Sequence, residues 1–182
     1  MYLYIILVVI ILIIIYAFVL YNSFIKLNNK VREAFSTMDV YLKKRWDLIP
    51  NLVDTVKEYS VYEEHTLKNL VELRSSIYDK MSDDEKIKIN EKLGVELPKI
   101  MMLKEAYPEL KANENFKDLS VQLTKIEDEL ANARKYYNGV IRMYNNKVEM
   151  FPNNIFAHIF MFKSKKMFEA TDIERENVKI EL

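Results

Sequence analysis

The chain has 182 residues, 50% of them apolar and 30% charged, with two glycines, four prolines and no cysteine. This composition suits one modest helical domain plus an anchor, built from long helices with few turns. The 27 basic and 27 acidic residues cancel, so no global field draws in nucleic acid, and disulfides, thiolate catalysis and Cys-based zinc sites are excluded.

From Met1 to Ile25 no side chain is charged, and Tyr2 to Leu20 is almost wholly Ile, Leu, Val, Tyr and Phe. About 20 such residues span a bilayer. Residues 1–21 are therefore expected to form a transmembrane anchor, with Tyr2 and Tyr4 at one end and Tyr16, Leu20 and Tyr21 at the other, the tyrosines placed as interfacial aromatic residues. A cleaved signal peptide fits poorly, because no basic residue precedes the run, the run is too long and no small-x-small site follows. Lys26, Lys30 and Arg32 follow the span and no Lys or Arg precedes it. The positive-inside rule then predicts a single pass through the cell membrane, the N-terminus outside and the remainder cytoplasmic.

The helix is expected to continue without a break. Val31, Met38, Leu52 and Tyr59 fall on one seam and Phe35, Leu42, Ile49 and Val56 on the adjacent one, the spacing of a core-facing stripe. Arg45 stands in the first seam where an apolar residue belongs, so either the helix turns there or the guanidinium is buried against a carboxylate. Pro50 removes a backbone donor and predicts a bend near Arg45 and Trp46.

A second amphipathic segment runs from about Glu64 to Met81, with Leu67, Leu70, Val71, Arg74, Ile77 and Tyr78 towards one side. Ser82 with Glu85 reads as a capping box starting a third helix that carries Ile89, Leu93, Leu97, Ile100 and Tyr107. Gly94 and Pro98 predict a kink or split around Val95 to Leu97. Tyr107 to Asn113 reads as a loop, with Asn113 as N-cap of a long helix from Glu114 to Phe151. That helix has Phe116, Leu123, Leu130, Tyr137, Tyr144 and Phe151 on one seam and Leu119, Ile126, Ala133 and Val140 on the other. The pairs Tyr137-Asn138 and Tyr144-Asn145 recur one heptad apart and read as a polar edge beside aromatic core positions.

The helices from Asn22 and from Glu114 have matched lengths of about 60 Å at about 1.5 Å per residue, which predicts an all-α, antiparallel up-down four-helix bundle over residues 22–154 with long first and last helices. With Asn22 level with Met150, Arg45 comes level with Glu127 and Asp39 with Arg134 or Ala133, so Arg45 with Glu127 and Asp39 with Arg134 are expected as interhelical polar pairs that would fix register. Beyond Pro152, the apolar run containing Ile155, Phe156, Ile159, Phe160 and Phe162 is followed by Lys163, Lys165 and Lys166. Residues 155–182 thus form an apolar return segment that either lies in the headgroup region or caps the core, followed by a charged tail from Thr171.

No catalytic, cofactor-binding or metal-binding residue emerges. The two histidines, His65 and His158, have Tyr62 and Ile155 three residues earlier, so the Glu-x-x-His pattern of dimetal bundles is absent. His65 reads as a solvated loop-end residue and His158 as an interfacial one, no glycine-rich loop is present to cradle phosphate, and neither histidine belongs to a recognisable catalytic motif.

Several stretches together resemble the bacterial LemA family: Tyr21-Asn22; Ser36, Asp39, Val40, Leu42 and Lys43 to Arg45; DLIPNLV at Asp47 to Val53; TVK at Thr55 to Lys57; AYPELKANENF at Ala106 to Phe116; Ala133-Arg134 with the tandem Tyr-Asn pairs; FPNN at Phe151 to Asn154; and FEA at Phe168 to Ala170. The resemblance covers essentially the whole chain. It implies an N-terminal anchor, an antiparallel four-helix cytoplasmic domain and no established enzyme activity. Trp46 stands where the family commonly has His or Tyr, Tyr62 where His often precedes the acidic position, and Gly94 and Pro98 interrupt a usually smoother helix, so no histidine role carries over. By analogy, relatives are associated with membrane organisation in magnetosome-forming bacteria and with membrane proteases. The expectation is a non-catalytic membrane scaffold whose partners are the lipid bilayer, further copies of itself or another membrane protein. The alternative is an adaptor or regulator of a membrane protease or envelope-stress system. An enzyme reading comes third.

Overall fold

The computed structural model describes residues 1–59, 64–73 and 77–168, with residues 64–66 described by their backbone alone. Among the described residues the regular structure is all helical, without strands, and the last of them, 162–168, are in neither helix nor strand. The order is α1 (Tyr2–Lys57), α2 (Glu64–Leu73), a 3-10 turn (Tyr78–Lys80), α3 (Asp83–Ala106), α4 (Pro108–Ala112), α5 (Glu114–Glu149) and α6 (Asn153–Ile159).

Helix α1 runs unbroken through Pro50 for 56 residues. Its part from Asn22 to Lys57 counts 36 residues, equal to the 36 of α5. Both heptad seams of α1 are inside: Val31, Phe35, Met38, Leu42, Ile49, Leu52 and Val56 are buried, and so is Arg45. In α5, Phe116, Leu119, Leu123, Leu130, Ala133, Tyr137, Val140 and Tyr144 are buried. Phe151 departs from its seam and is 79% exposed, because the helix ends at Glu149, ahead of Pro152, and Val148 supplies the last buried position.

The segment between α1 and α5 is where pattern and structure differ. The second helix is described over Glu64–Leu73 and does not extend to Met81: Tyr78 enters the core from a 3-10 turn, while Val71 and Ile77 stay exposed. Arg74 lies outside the described residues. Helix α3 is neither split nor ended by its two breakers. Pro98 follows Gly94 by four residues, so the bond that proline cannot donate is the one to the Gly94 carbonyl, and both irregularities fall on a single rung of the helix. The expected loop after Ala106 contains a short helix, α4, with Pro108 in its first turn, where a missing N–H costs nothing.

Both sequence-read caps are formed. Ser82 Oγ accepts from the Glu85 N–H at 3.4 Å and the Ser82 N–H donates to Glu85 Oε2 at 2.8 Å. These bonds, first to the Ser82 side chain and then to its backbone, hold the Glu85 carboxyl below its ordinary range. Asn113 Oδ1 accepts from the Phe116 N–H at 2.9 Å, and its amide donates to the Tyr59 hydroxyl at 2.9 Å.

The described residues form two compact units. One comprises Met1–Met38 with Ala133–Phe168; the other spans Asp39–Asn132. In the first unit, every side chain from Met1 to Tyr16, with Phe18 and Val19, is exposed, whereas Leu20 and Phe24 are buried. Leu20, expected at the edge of the anchor, therefore belongs to the protein interior. In the second unit, α3 contributes Asn90, Leu93, Leu97, Ile100 and Leu103 to the core, while Ile89 and Tyr107 are only half-buried.

Two substitutions test these local assignments by chemical unfolding. Ser82→Ala should cost about 1 kcal/mol through the lost cap. Gly139→Ala should add about 0.5–1 kcal/mol, since a Cβ there meets nothing within 4 Å.

Candidate functional site

The described residues place three polar or aromatic constellations where the heptad pattern alone predicts only core. The first lies at the end of the uncharged stretch. Helix α6 folds back on α1: Phe156 meets Tyr16 edge-on with ring centres 5.6 Å apart, and Phe160 meets Tyr21 at 5.2 Å. Phe162 packs against Phe24 at 5.0 Å, and the Tyr16 hydroxyl donates to Asn153 Oδ1 at 3.0 Å. Ala157 is buried beneath this cluster, while Ile155, Ile159 and Met161 are exposed, as are Met150 and Phe151 just before α6. His158 is exposed on α6, and the side chain of His65 lies outside the described residues. The return segment thus has two faces, an aromatic one closed on α1 and an aliphatic one open.

The second constellation is a ladder on α5. The Asn145 amide donates to the Lys165 carbonyl at 2.8 Å and its Oδ1 accepts from the Lys165 N–H at 2.9 Å. Asn138 repeats the pattern on Phe168, both bonds at 2.8 Å. Seven helical residues rise about 10.5 Å, and three extended residues cover about 10 Å, so asparagines one heptad apart fit residues three apart on an extended chain. Lys165 Nζ lies 5.6 Å from the Tyr144 ring centre, and the Arg134 guanidinium lies 4.4 Å from that of Phe168, which is buried. Burial raises the Tyr144 hydroxyl above its ordinary range.

The third constellation is the polar core of the other unit. Arg45, 2% exposed, sets its Nε 2.8 Å from Glu127 Oε1 and donates from Nη1 to the Asn90 carbonyl at 3.2 Å. Asn90 is fully buried and its own amide donates to the Lys86 carbonyl at 3.0 Å. Asp39, expected opposite Arg134, is engaged elsewhere: the Tyr78 hydroxyl donates to its Oδ1 at 2.7 Å and Lys86 Nζ pairs with its Oδ2 at 2.7 Å. The 3-10 turn supplies that tyrosine, which also packs on Trp46 with ring centres 5.4 Å apart. Burial first, then the hydrogen bond to Asp39 and its charge, push the Tyr78 hydroxyl well above its ordinary value.

No group of three or more His, Asp or Glu side chains that could hold a metal occurs among the described residues. A shallow concavity lined by Asn69, Glu72, Leu73, Lys92, Val95 and Glu96 brings together no recognisable nucleophile and base.

The family model described as the LemA family matches residues 34–182. The chain belongs to the LemA family. It is 27% identical over 162 residues to Protein LemA of Metamycoplasma hominis, covering 86% of this chain and 72% of the relative. It is 23% identical over 175 residues to Magnetosome protein MamQ 1 and to MamQ 2 of Paramagnetospirillum magneticum, covering 82% of this chain and 64% of each relative.

Register reasoning on this LemA chain brings Arg45 to the carboxylate that the structure gives it. It misses Tyr78 and Lys86 as partners of Asp39, because a tyrosine in a 3-10 turn has no heptad address. It also misreads Asn138 and Asn145 as a polar edge. The exact heptad repeat of Tyr-Asn was the available signal, but nothing in the pattern of α5 announces that an extended chain lies on it.

Two consequences can be measured. Glu127→Ala should destabilise by about 1–3 kcal/mol, since it withdraws a carboxylate from a buried guanidinium, and a double-mutant cycle with Arg45→Met should return most of that as coupling. Because the fold holds Tyr78 neutral, its contribution is complete below the ordinary value of 10.0 and falls as pH rises beyond it. Tyr78→Phe should therefore be less stable than wild type near neutrality, yet lose stability less steeply above pH 10.0 in alkaline unfolding.

Proposed function

We propose that this LemA-family protein is a non-catalytic helical scaffold anchored in the cell membrane by a single pass, N-terminus outside and helical domain on the cytoplasmic side. The observation that carries the proposal is the exposed apolar surface of Met1 to Tyr16, Phe18 and Val19 on a helix long and apolar enough to cross a membrane. Water is a poor solvent for that surface and hydrocarbon a good one. The basic residues Lys26, Lys30 and Arg32 set the orientation.

The return segment supports the same placement. Its aromatic face grips α1 at Tyr16, Tyr21 and Phe24, the end of the uncharged stretch, so Ile155 and Ile159 face outward at the level where Tyr16 and Tyr21 would meet headgroups. Lys163 and Lys166 follow, exposed, within reach of anionic lipid. In this reading Ile155 to Lys166 is a second membrane contact beside the anchor. The finer fold reading is an antiparallel up-down bundle of α1, α2, α3 and α5. It is supported by the meeting of α1, α3 and α5 around Arg45 and by the matched lengths of α1 beyond Tyr21 and α5. No cofactor is assigned, and self-association or a membrane protein partner would give the scaffold its load.

The absence of cysteine permits a direct topology test. In intact cells expressing the full chain, Tyr2→Cys should react with a membrane-impermeant maleimide, whereas Tyr136→Cys, at an exposed position of α5, should react only after permeabilisation. The reverse pattern would overturn the orientation.

A further inference from the structure

The asparagine ladder on α5 recognises main chain. Asn138 and Asn145 each close a two-bond ring with one residue of the extended segment, taking its N–H and its C=O and nothing of its side chain. Side-chain selection enters at two places only: Phe168, buried against the Arg134 guanidinium, and Lys165, laid over Tyr144. Between and before these points Lys163, Ser164, Lys166 and Met167 are exposed. The segment is thus held at two points three residues apart, by groups that any extended chain with a basic residue followed three places later by an aromatic one would satisfy equally.

We propose that the face of α5 bearing Asn138 and Asn145 is a receptor for an extended peptide segment of the pattern basic-x-x-aromatic, in which Lys165 to Phe168 is the resident, exchangeable occupant. The partner is a protein that presents such a segment from a terminus or loop. Main-chain pairing with pockets for alternate side chains is the division of labour by which extended peptides are bound at sheet edges; here two helix-borne carboxamides replace the edge strand. The geometry fixes the spacing, because a helix rises about 10.5 Å per heptad and an extended chain covers about that distance in three residues. The resident segment competes as a tethered ligand. Only Lys163 and Ser164 separate Lys165 from Phe162, which is packed on Phe24, and a link that short gives an effective concentration of about millimolar or more. A partner therefore gains the site when its own local concentration is comparable, as between two proteins confined to one membrane surface. The ladder is a point of attachment for a partner whether or not α1 lies in a membrane.

The test uses the full chain in a non-ionic detergent, which removes lipid charge, and a fluorescent peptide of the sequence KSKKMF, capped at both ends. Wild type should bind it only towards the millimolar range. Phe168→Ala, which weakens the resident occupant but leaves both asparagines, should bind at least about tenfold tighter. Adding Asn138→Ala and Asn145→Ala to that variant should abolish the gain, while Met167→Ala, at an exposed position, should leave wild-type behaviour unchanged. Helical content and thermal unfolding of each variant confirm that the comparison is between folded proteins. To separate the role of Phe168 in the fold from its role as occupant, Lys165→Pro, which removes the N–H held by Asn145 while keeping Phe168, should also raise the affinity. Failure of both Phe168→Ala and Lys165→Pro to bind the peptide more tightly than wild type, or binding indifferent to loss of the two asparagines, would overturn the proposal. Neither result bears on whether the chain spans a membrane.

Discussion

An uncharged helix that never turns back into the protein is the constraint on which everything else rests. Each Leu, Ile or Val of that stretch would gain about 1.5–3 kcal/mol on leaving water, and together these gains exceed the about 5–15 kcal/mol of net stability that a folded domain has. The side chains from Met1 to Ile15 are exposed throughout. At Leu20 and Phe24 burial begins, and it is there that α6 and the residues after it bring Phe156, Phe160 and Phe162. The boundary between the exposed, uncharged part of α1 and the part that joins the protein core is therefore drawn by an aromatic contact.

The second unit solves a different problem. Arg45 occupies a core position, and an ionised group there is tolerable only with a carboxylate and further acceptors close by. Glu127 and the Asn90 carbonyl come from two other helices, so the guanidinium ties α1, α3 and α5 at one level. Asp39 does similar work through Tyr78 and Lys86. Hydrophobic seams alone would tolerate a slip by one heptad; these polar partners do not, because a slip would strand buried charge.

Much of this was legible in the residues because helices advertise themselves by period. The seams of α1 and α5, the Ser82 box, the Asn113 cap and the level of Arg45 with Glu127 all follow from spacing along one or two straight helices. What failed was everything that depends on a third element without a period. Asp39 could not be assigned to Tyr78, since the 3-10 turn between α2 and α3 has no register to count from. Gly94 and Pro98 looked like two interruptions and prove to share one hydrogen-bond rung. Asn138 and Asn145 read as a polar edge beside the aromatic core, because a carboxamide that binds main chain leaves no mark on the sequence of the segment it binds. Phe151 was lost to the core because Pro152 stops α5 two residues early.

The central claim is that the uncharged part of α1 and the outer face of α6 share the bilayer. An environment-sensitive dye on Ile159→Cys, in nanodiscs whose lipids carry bromine either near the headgroup or near the acyl terminus, measures this directly. The same dye on Tyr136→Cys, at an exposed position further along α5, is the reference. The account predicts quenching at position 159 that is stronger for bromine near the headgroup, with none at position 136. Equal absence of quenching at both positions would show that α6 merely closes the end of the protein and that the membrane contact is the anchor alone.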